Sequence, residues 1–318
     1  MNTRSAYLAG IAWSSIFGFS FLVTKAALSA FSPLELLALR FGLAAASLLA
    51  LTAAGVVKPV FRGKPRGILA LVCLFQPVLY FAAETYGVRR TSTSTAGLIL
   101  GALPAAVAAL SVPMLREKLS RVRTTGLILS VAGVSLVAAA GGGGGADHPV
   151  GVVLVLSALV SAAFYNVFSR RASRFYGPVE ITLARMVSGA AFFGLAALVE
   201  RLLASPGGSG ALSPRAAGAA AWGAVAYLGI LSSVVAFFLV NLSLSRLKAA
   251  QASVFGALTP LIALAAGELL RGEPVGPAKG LGAAAILAGL WITNAPDPNP
   301  VPGGTKLVPP PRDEATGA

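Results

Sequence analysis

The side chains with chemical potential are polar and aromatic groups set inside long apolar runs. Gln76, Tyr80 and Glu84 recur at i, i+4 and i+8, so a continuous helix would carry them on one face. Tyr165 and Asn166 lie in another run, with Ser157, Ser161 and Ser169 sharing the Tyr165 face. Trp13 and Ser14 sit beside the aromatic stripe that continues to Phe17 and Phe21. Tyr227 and Asn241 fall within about 40° of each other at 100° per residue, and Gln251 and Thr259 share a face of a later run. Hydroxyls, amides and indoles of this kind recognise a solute through hydrogen bonds and ring contacts. An amide or charge buried in hydrocarbon is costly unless it meets a partner or a wet cavity. The expected substrate-binding set is Trp13, Ser14, Gln76, Tyr80, Tyr165, Asn166, Tyr227, Asn241, Gln251 and Thr259.

Three charges within the runs read as gating or structural groups: Arg40, Arg185 and Glu84. The face shared by Gln76, Tyr80 and Glu84 is expected to line the solute path, with a place at the membrane interface as the alternative for Glu84. Each arginine stands seven residues into its helix, about 10 Å deep, where a carboxylate or free carbonyls would be its structural partners. Lys25 is expected to snorkel to the interface. Pro104 and Pro260 interrupt two runs and read as hinges, because proline frees a carbonyl. Gly126, Gly133, Gly282 and Gly289 would let helices approach closely. Glu117 and Glu273, just before two runs, read as helix-end stabilisers.

Covalent and metal chemistry find little support. One cysteine, Cys73, excludes an intrachain disulfide and a cysteine metal cluster. The one histidine, His148, has no ligand-type neighbours and no nucleophile motif beside it. No phosphate-binding Walker pattern occurs, so no nucleotide or other cofactor and no catalytic residue is expected.

The elements that carry these residues must be membrane helices. Charged residues make up 11% of 318, against about 25% in soluble domains, and the mean hydropathy is +0.80. Ten spans are expected, near 6–27, 33–54, 67–87, 92–114, 121–140, 149–170, 178–200, 216–240, 248–270 and 276–294. The net charge of +14 comes from residues between the runs, with no nucleic-acid motif, so nucleic acid is not an expected partner. With the N-terminus in the cytoplasm, sixteen Lys and Arg fall on the inner side and six on the outer, which places both termini inside.

The chain also repeats itself. Pro33, Glu35 and Arg40 recur as Pro178, Glu180 and Arg185 at an offset of 145. Phe81, Arg90, Ala96, Pro104, Glu117, Gly126 and Gly133 recur as Phe237, Arg246, Ala252, Pro260, Glu273, Gly282 and Gly289 at an offset of 156. Five spans per half is an odd number, so the halves must insert with opposite orientation, a plan common to secondary transporters. The expected fold is an all-α membrane protein of ten transmembrane helices in two inverted five-helix repeats. Residues 1–145 form the first, 146–295 the second, and 296–318 a disordered cytoplasmic tail.

These features resemble the drug/metabolite transporter superfamily in its EamA-type branch. The likeness lies in Trp13-Ser14-Ser15, and in Tyr80-Phe81 through Pro104, Glu117, Gly126 and Gly133, which returns as Phe237 through Pro260, Glu273, Gly282 and Gly289. It covers roughly residues 6–294. One departure is Arg271-Gly272-Glu273-Pro274 where the first half has Leu115-Arg116-Glu117-Lys118. The resemblance implies a multi-pass protein of the cell membrane that moves amino acid-like or drug-like metabolites, with export as the expected direction. The expected partners are a small-molecule solute and the lipid bilayer, and a homodimer is left open. The alternatives are a non-transporting membrane scaffold or receptor and a membrane-embedded lipid enzyme.

Overall fold

In a computed structural model, residues 3–115, 120–141, 147–203, 217–244 and 249–294 are described. Among them the chain is helical throughout, without strands. Consecutive segments join into ten rods. These are α1 (Thr3–Ala27), α2 (Pro33–Ala53), α3 (Arg66–Arg90), α4 (Thr93–Gly101 and Leu103–Leu115), α5 (Arg121–Gly141) and α6 (Pro149–Ala172). The others are α7 (Pro178–Leu203), α8 (Ala219–Ala226, Tyr227–Val235 and Ala236–Leu244), α9 (Ala249–Arg271) and α10 (Pro277–Asn294). Among the described residues, eight helices are long and apolar enough to cross a membrane, and Pro277–Thr293 is a shorter apolar helix. Large apolar side chains such as Leu8, Leu202, Leu269 and Trp291 project outward, as a lipid-solvated surface requires. The chain is a multi-pass membrane protein.

Local signals set the helix starts. Ser32 caps α2 and Pro33 fills its first turn. The Ser32 hydroxyl accepts from the Glu35 N–H at 3.2 Å, while the Ser32 N–H donates to Glu35 Oε2 at 3.1 Å. At the repeat-equivalent start of α7, the Gly177 N–H donates to Glu180 Oε2 at 2.8 Å. His148 caps α6 by accepting from the Val150 N–H at 3.2 Å.

The third helix of each half is wound more loosely in its middle. In α3 the stretch Leu74–Leu79 is π-helical, and Gln76 leaves helical geometry (φ −148°, ψ 114°) before Pro77. In α8 the stretch Tyr227–Val235 is π-helical, and the Ser233 hydroxyl donates to the Leu228 carbonyl at 2.8 Å. The face predicted for Gln76, Tyr80 and Glu84 is therefore not that of one continuous helix.

Packing is paired between halves. α2 packs on α7, α4 on α9 and α5 on α10, each against its repeat counterpart. α1 lies against α8 and α9, just as α6 lies against α3 and α4. Glycines set the α5–α10 contact. A Cβ on Gly126 would lie 2.7 Å from the Gly289 carbonyl oxygen, and one on Gly133 would lie 2.7 Å from that of Gly282. Both are backbone contacts that cannot yield by rotating a side chain. Gly133→Ala is expected to destabilise the fold by about 1–3 kcal/mol. Gly194→Ala, where a Cβ meets nothing within 4 Å, is expected to be nearly neutral. Thermal unfolding in detergent measures both.

Side-chain links sort the helix ends into two groups. At one end Ser32 Oγ donates to Glu200 at 2.6 Å, Arg201 donates to Glu35 at 3.2 Å, and Lys25 donates to the Thr91 carbonyl. Lys25 thus turns to backbone rather than snorkelling freely, because Thr91, buried just past the end of α3, offers it a carbonyl. At the other end Lys64 and the Val60 N–H bind Glu180, and the Tyr176 hydroxyl donates to the Pro65 carbonyl at 3.1 Å. Among the described connections, 28–32 and 91–92 lie at the first end and 54–65 and 173–177 at the second.

Candidate functional site

A cavity of about 420 Å³ lies where α1, α2, α3, α4, α6, α8 and α9 converge. Trp13, Gln76, Tyr80, Tyr165, Asn166 and Thr259 line it, together with Arg40, Glu84 and Pro104. Its walls are otherwise aromatic and small. Trp13 meets Phe17 edge-on at 5.9 Å, Phe17 meets Phe237 at 5.6 Å, and Gly97 and Gly101 leave room along α4.

Among the described residues, four that line the cavity carry a buried polar atom with no hydrogen-bond partner: Trp13 Nε1, Gln76 Oε1, Glu84 Oε2 and Thr259 Oγ1. Buried polar groups are nearly always partnered, so this cluster of exceptions is a chemical feature of the cavity. Asn166 differs, because its Nδ2 donates to the Ala162 carbonyl at 2.8 Å within α6.

The two arginines form repeat-equivalent stacks. Arg40 lies over the Phe81 ring at 4.4 Å, and Arg185 lies over the Phe237 ring at 5.1 Å and the Tyr165 ring at 4.6 Å. Arg40 donates to the Ser233 and Ser232 hydroxyls at 3.1 and 3.2 Å. Arg185 donates from Nη1 to the Tyr165 hydroxyl at 3.0 Å, and among the described residues its Nε and Nη2 have no partner. Hydroxyls and rings, rather than the carboxylates or carbonyls expected from the sequence, hold both guanidiniums. The halves differ in how well they do so.

Several expectations are corrected. Glu84 is not at an interface. α3 continues to Arg90, so the side chain lies about 9 Å inside the helix end, 3% exposed and facing the cavity. Ser14 does not line the cavity, since its hydroxyl turns back to the Gly10 carbonyl of its own helix. Tyr227 does not either; its hydroxyl donates to the Ile16 carbonyl at 2.8 Å and ties α8 to α1. Asn241 and Gln251 fall on α8 and α9, with side chains outside the described residues. Glu117 also lies outside them. Pro104 follows a break in α4 at Ala102, and Pro260 lies within α9 facing Gly101, where an added Cβ would approach it to 2.6 Å.

The cavity stops short of a buried polar latch at the end that carries Lys25. Ser92 to Thr95, at the N-terminus of α4, are all buried. Glu273, from the α9–α10 connection, accepts from the Thr93 and Ser94 N–H groups at 2.8 and 2.9 Å. Glu273 stabilises a helix start, as predicted for its type, but that of a helix in the other half. Asp147 accepts from the Ser92 N–H, from the Thr95 hydroxyl at 2.8 Å and from Lys279 Nζ at 2.7 Å. Burial pushes the Asp147 carboxyl up, but the Lys279 ammonium, the Ser92 N–H and the Thr95 hydroxyl outweigh it and hold the group below its ordinary value. Burial likewise raises the Glu273 carboxyl, and the Ser94 and Thr93 N–H groups more than reverse it. Nothing local in the sequence pairs Asp147 with Ser92, 55 residues away.

Comparison with known proteins bears on what this arrangement serves. YcxC of Bacillus subtilis, described as an uncharacterized transporter, is 32% identical over 293 residues, covering 91% of this chain and 92% of YcxC. A protein of Streptantibioticus cattleyicolor described as a "probable terminal-alkyne amino-acid exporter" is 25% identical, covering 80% of this chain and 84% of its own. A solved crystal structure at 22% identity shares the fold with a TM-score of 0.59, over 91% of this chain and 96% of that one. The EamA-like transporter family profile matches twice in succession, over residues 4–139 and 149–295, and the chain belongs to that family.

Proposed function

We propose that this protein is a secondary transporter that exports small organic solutes, amino acid-like or drug-like, across the cell membrane through the central cavity by alternating access. Ten membrane-crossing helices form two five-helix halves of opposite orientation, with both termini in the cytoplasm. The sorting of connections to two ends supports this topology, and the excess of Lys and Arg on one set of connections supports the orientation. The amino-acid exporter among the relatives supports the solute class and the direction.

The observation that carries the reading is the group of unpartnered buried atoms around an aromatic cavity at the junction of the halves. A solute that offers partners to these groups gains about 1–3 kcal/mol for each over one that leaves them unmet. Trp13, Gln76, Tyr80, Tyr165, Asn166 and Thr259 contact the solute. Arg40, Arg185 and Glu84 set the charge of the gate, and Pro104 and Pro260 are hinges.

The test is export of a panel of radiolabelled amino acids from proteoliposomes. Trp13→Phe keeps the ring and removes the N–H, so KM is expected to rise about tenfold for a transported solute. Tyr165→Ala and Asn166→Ala are expected to lose flux at normal expression. Unchanged flux in all three variants removes the cavity from the path.

A further inference from the structure

On the outer face of the bundle, away from the central cavity, a second hollow of about 570 Å³ runs between α3 and α7. Leu69 and Val78 of α3 and Ser188 and Phe192 of α7 form its walls, and Arg66, Phe61 and Tyr176 stand at its mouth. From Arg66 to Val78 the groove follows α3 for about 18 Å, at 1.5 Å per residue. That is close to one leaflet of hydrocarbon, half of a core of about 30 Å.

The mouth is built rather than loose. Lys64 and the Val60 N–H are fixed by Glu180 at 2.6 and 2.7 Å, and Lys64 also sits over the Tyr176 ring at 5.3 Å. The Tyr176 hydroxyl donates to the Pro65 carbonyl at 3.1 Å, and the Phe61 ring packs on that of Tyr176 at 6.2 Å. An aromatic pair of this kind belongs at headgroup level. Lys64 spends its charge on Glu180. Arg66 is exposed and meets no carboxylate among the described residues, and Lys58 and Arg62 on the same connection are exposed too. An apolar channel one leaflet long thus ends at an unneutralised guanidinium with further positive charge behind it.

We infer that this groove binds an anionic phospholipid, one acyl chain lying between α3 and α7 and the phosphate-bearing headgroup at Arg66. The inference needs the chain to be embedded in a membrane but does not depend on what the central cavity carries. The site abuts the segment where α3 loosens, since Cys73, Leu74 and Val78 all face it. Its occupant therefore touches the outer side of the helix whose inner side presents Gln76 to the cavity.

Native mass spectrometry of the full chain in detergent, titrated with phosphatidylglycerol and with phosphatidylcholine, tests it. Phosphatidylglycerol is expected to bind more tightly. Arg66→Gln is expected to weaken it roughly fivefold, the worth of one basic side chain at a membrane surface, and to leave phosphatidylcholine unchanged. Ala70→Trp, which fills the groove, is expected to weaken both lipids; circular dichroism checks its fold, and Arg66→Gln decides alone if it misfolds. Equal affinity for the two headgroups, or an Arg66→Gln variant that binds phosphatidylglycerol as the parent does, overturns the proposal. So does a dimer that buries the groove and admits no lipid.

Discussion

Lys279→Met is expected to destabilise the protein by about 3 kcal/mol. Asp147 is 7% exposed, and Lys279 is the cation that meets it. Removing the ammonium leaves a buried carboxylate with the Ser92 N–H and the Thr95 hydroxyl as its hydrogen-bond donors and no ion pair. Asp147→Asn in the same chain should recover part of the loss, because it removes the stranded charge. The double-mutant cycle in detergent measures that coupling. The same pair sets a pH dependence. Both latch carboxyls are held below their ordinary values when folded, so their contribution is complete above the unfolded value and disappears as pH falls through the folded one. Melting should be insensitive to these groups from pH 8 to pH 5 and fall below about pH 4. A latch-dependent loss of stability between pH 6 and 7 would point to other groups.

Arg185→Met is expected to reduce flux at least about tenfold while changing stability by no more than about 1 kcal/mol. Arg185 is 1% exposed and uses one nitrogen, leaving Nε and Nη2 unpartnered. A charge buried with that much unmet capacity is a poor stabiliser, so its loss costs the fold little. Arg40 is the control within the same molecule. It is bonded to Ser232 and Ser233, so Arg40→Met strands the buried Ser232 hydroxyl, leaves Ser233 only its bond to the Leu228 carbonyl, and should destabilise by about 1–3 kcal/mol. If Arg185→Met unfolds the protein and Arg40→Met does not, the two roles are reversed and Arg185 is structural.

The helices and the repeat were legible in the sequence because hydropathy and spacing act locally. The run ends agree with the observed helices to within a few residues, and the glycines assigned to close approach meet across α5 and α10. Much of the cavity was legible too, since a polar side chain in an apolar run has few places to go. Sequence and structure part where a side chain meets a backbone carbonyl or a neighbouring helix that periodicity does not reveal. Ser14 and Tyr227 were expected at the site, but each found a carbonyl, one in its own helix and one on α1. The Ser232–Ser233 pair that holds Arg40 lies 192 and 193 residues from it, beyond the reach of periodicity. The latch draws on four separated segments. Its members are unremarkable alone, with Asp147 following a five-glycine run and Lys279 opening the last helix. The interface alternative for Glu84 fails because α3 continues three residues beyond the expected end at 87, and the side chain lines the cavity.

The proposed path of the solute runs through the cavity between the halves. On a Cys73→Ser background, which removes the one native thiol, Thr259→Cys places a single reactive group in the cavity wall. In oriented vesicles a membrane-impermeant thiol reagent is predicted to reach it from the cytoplasmic side and to abolish export. A transported amino acid in excess is predicted to slow the labelling. Complete modification of Thr259→Cys with export continuing at the unmodified rate would contradict the account.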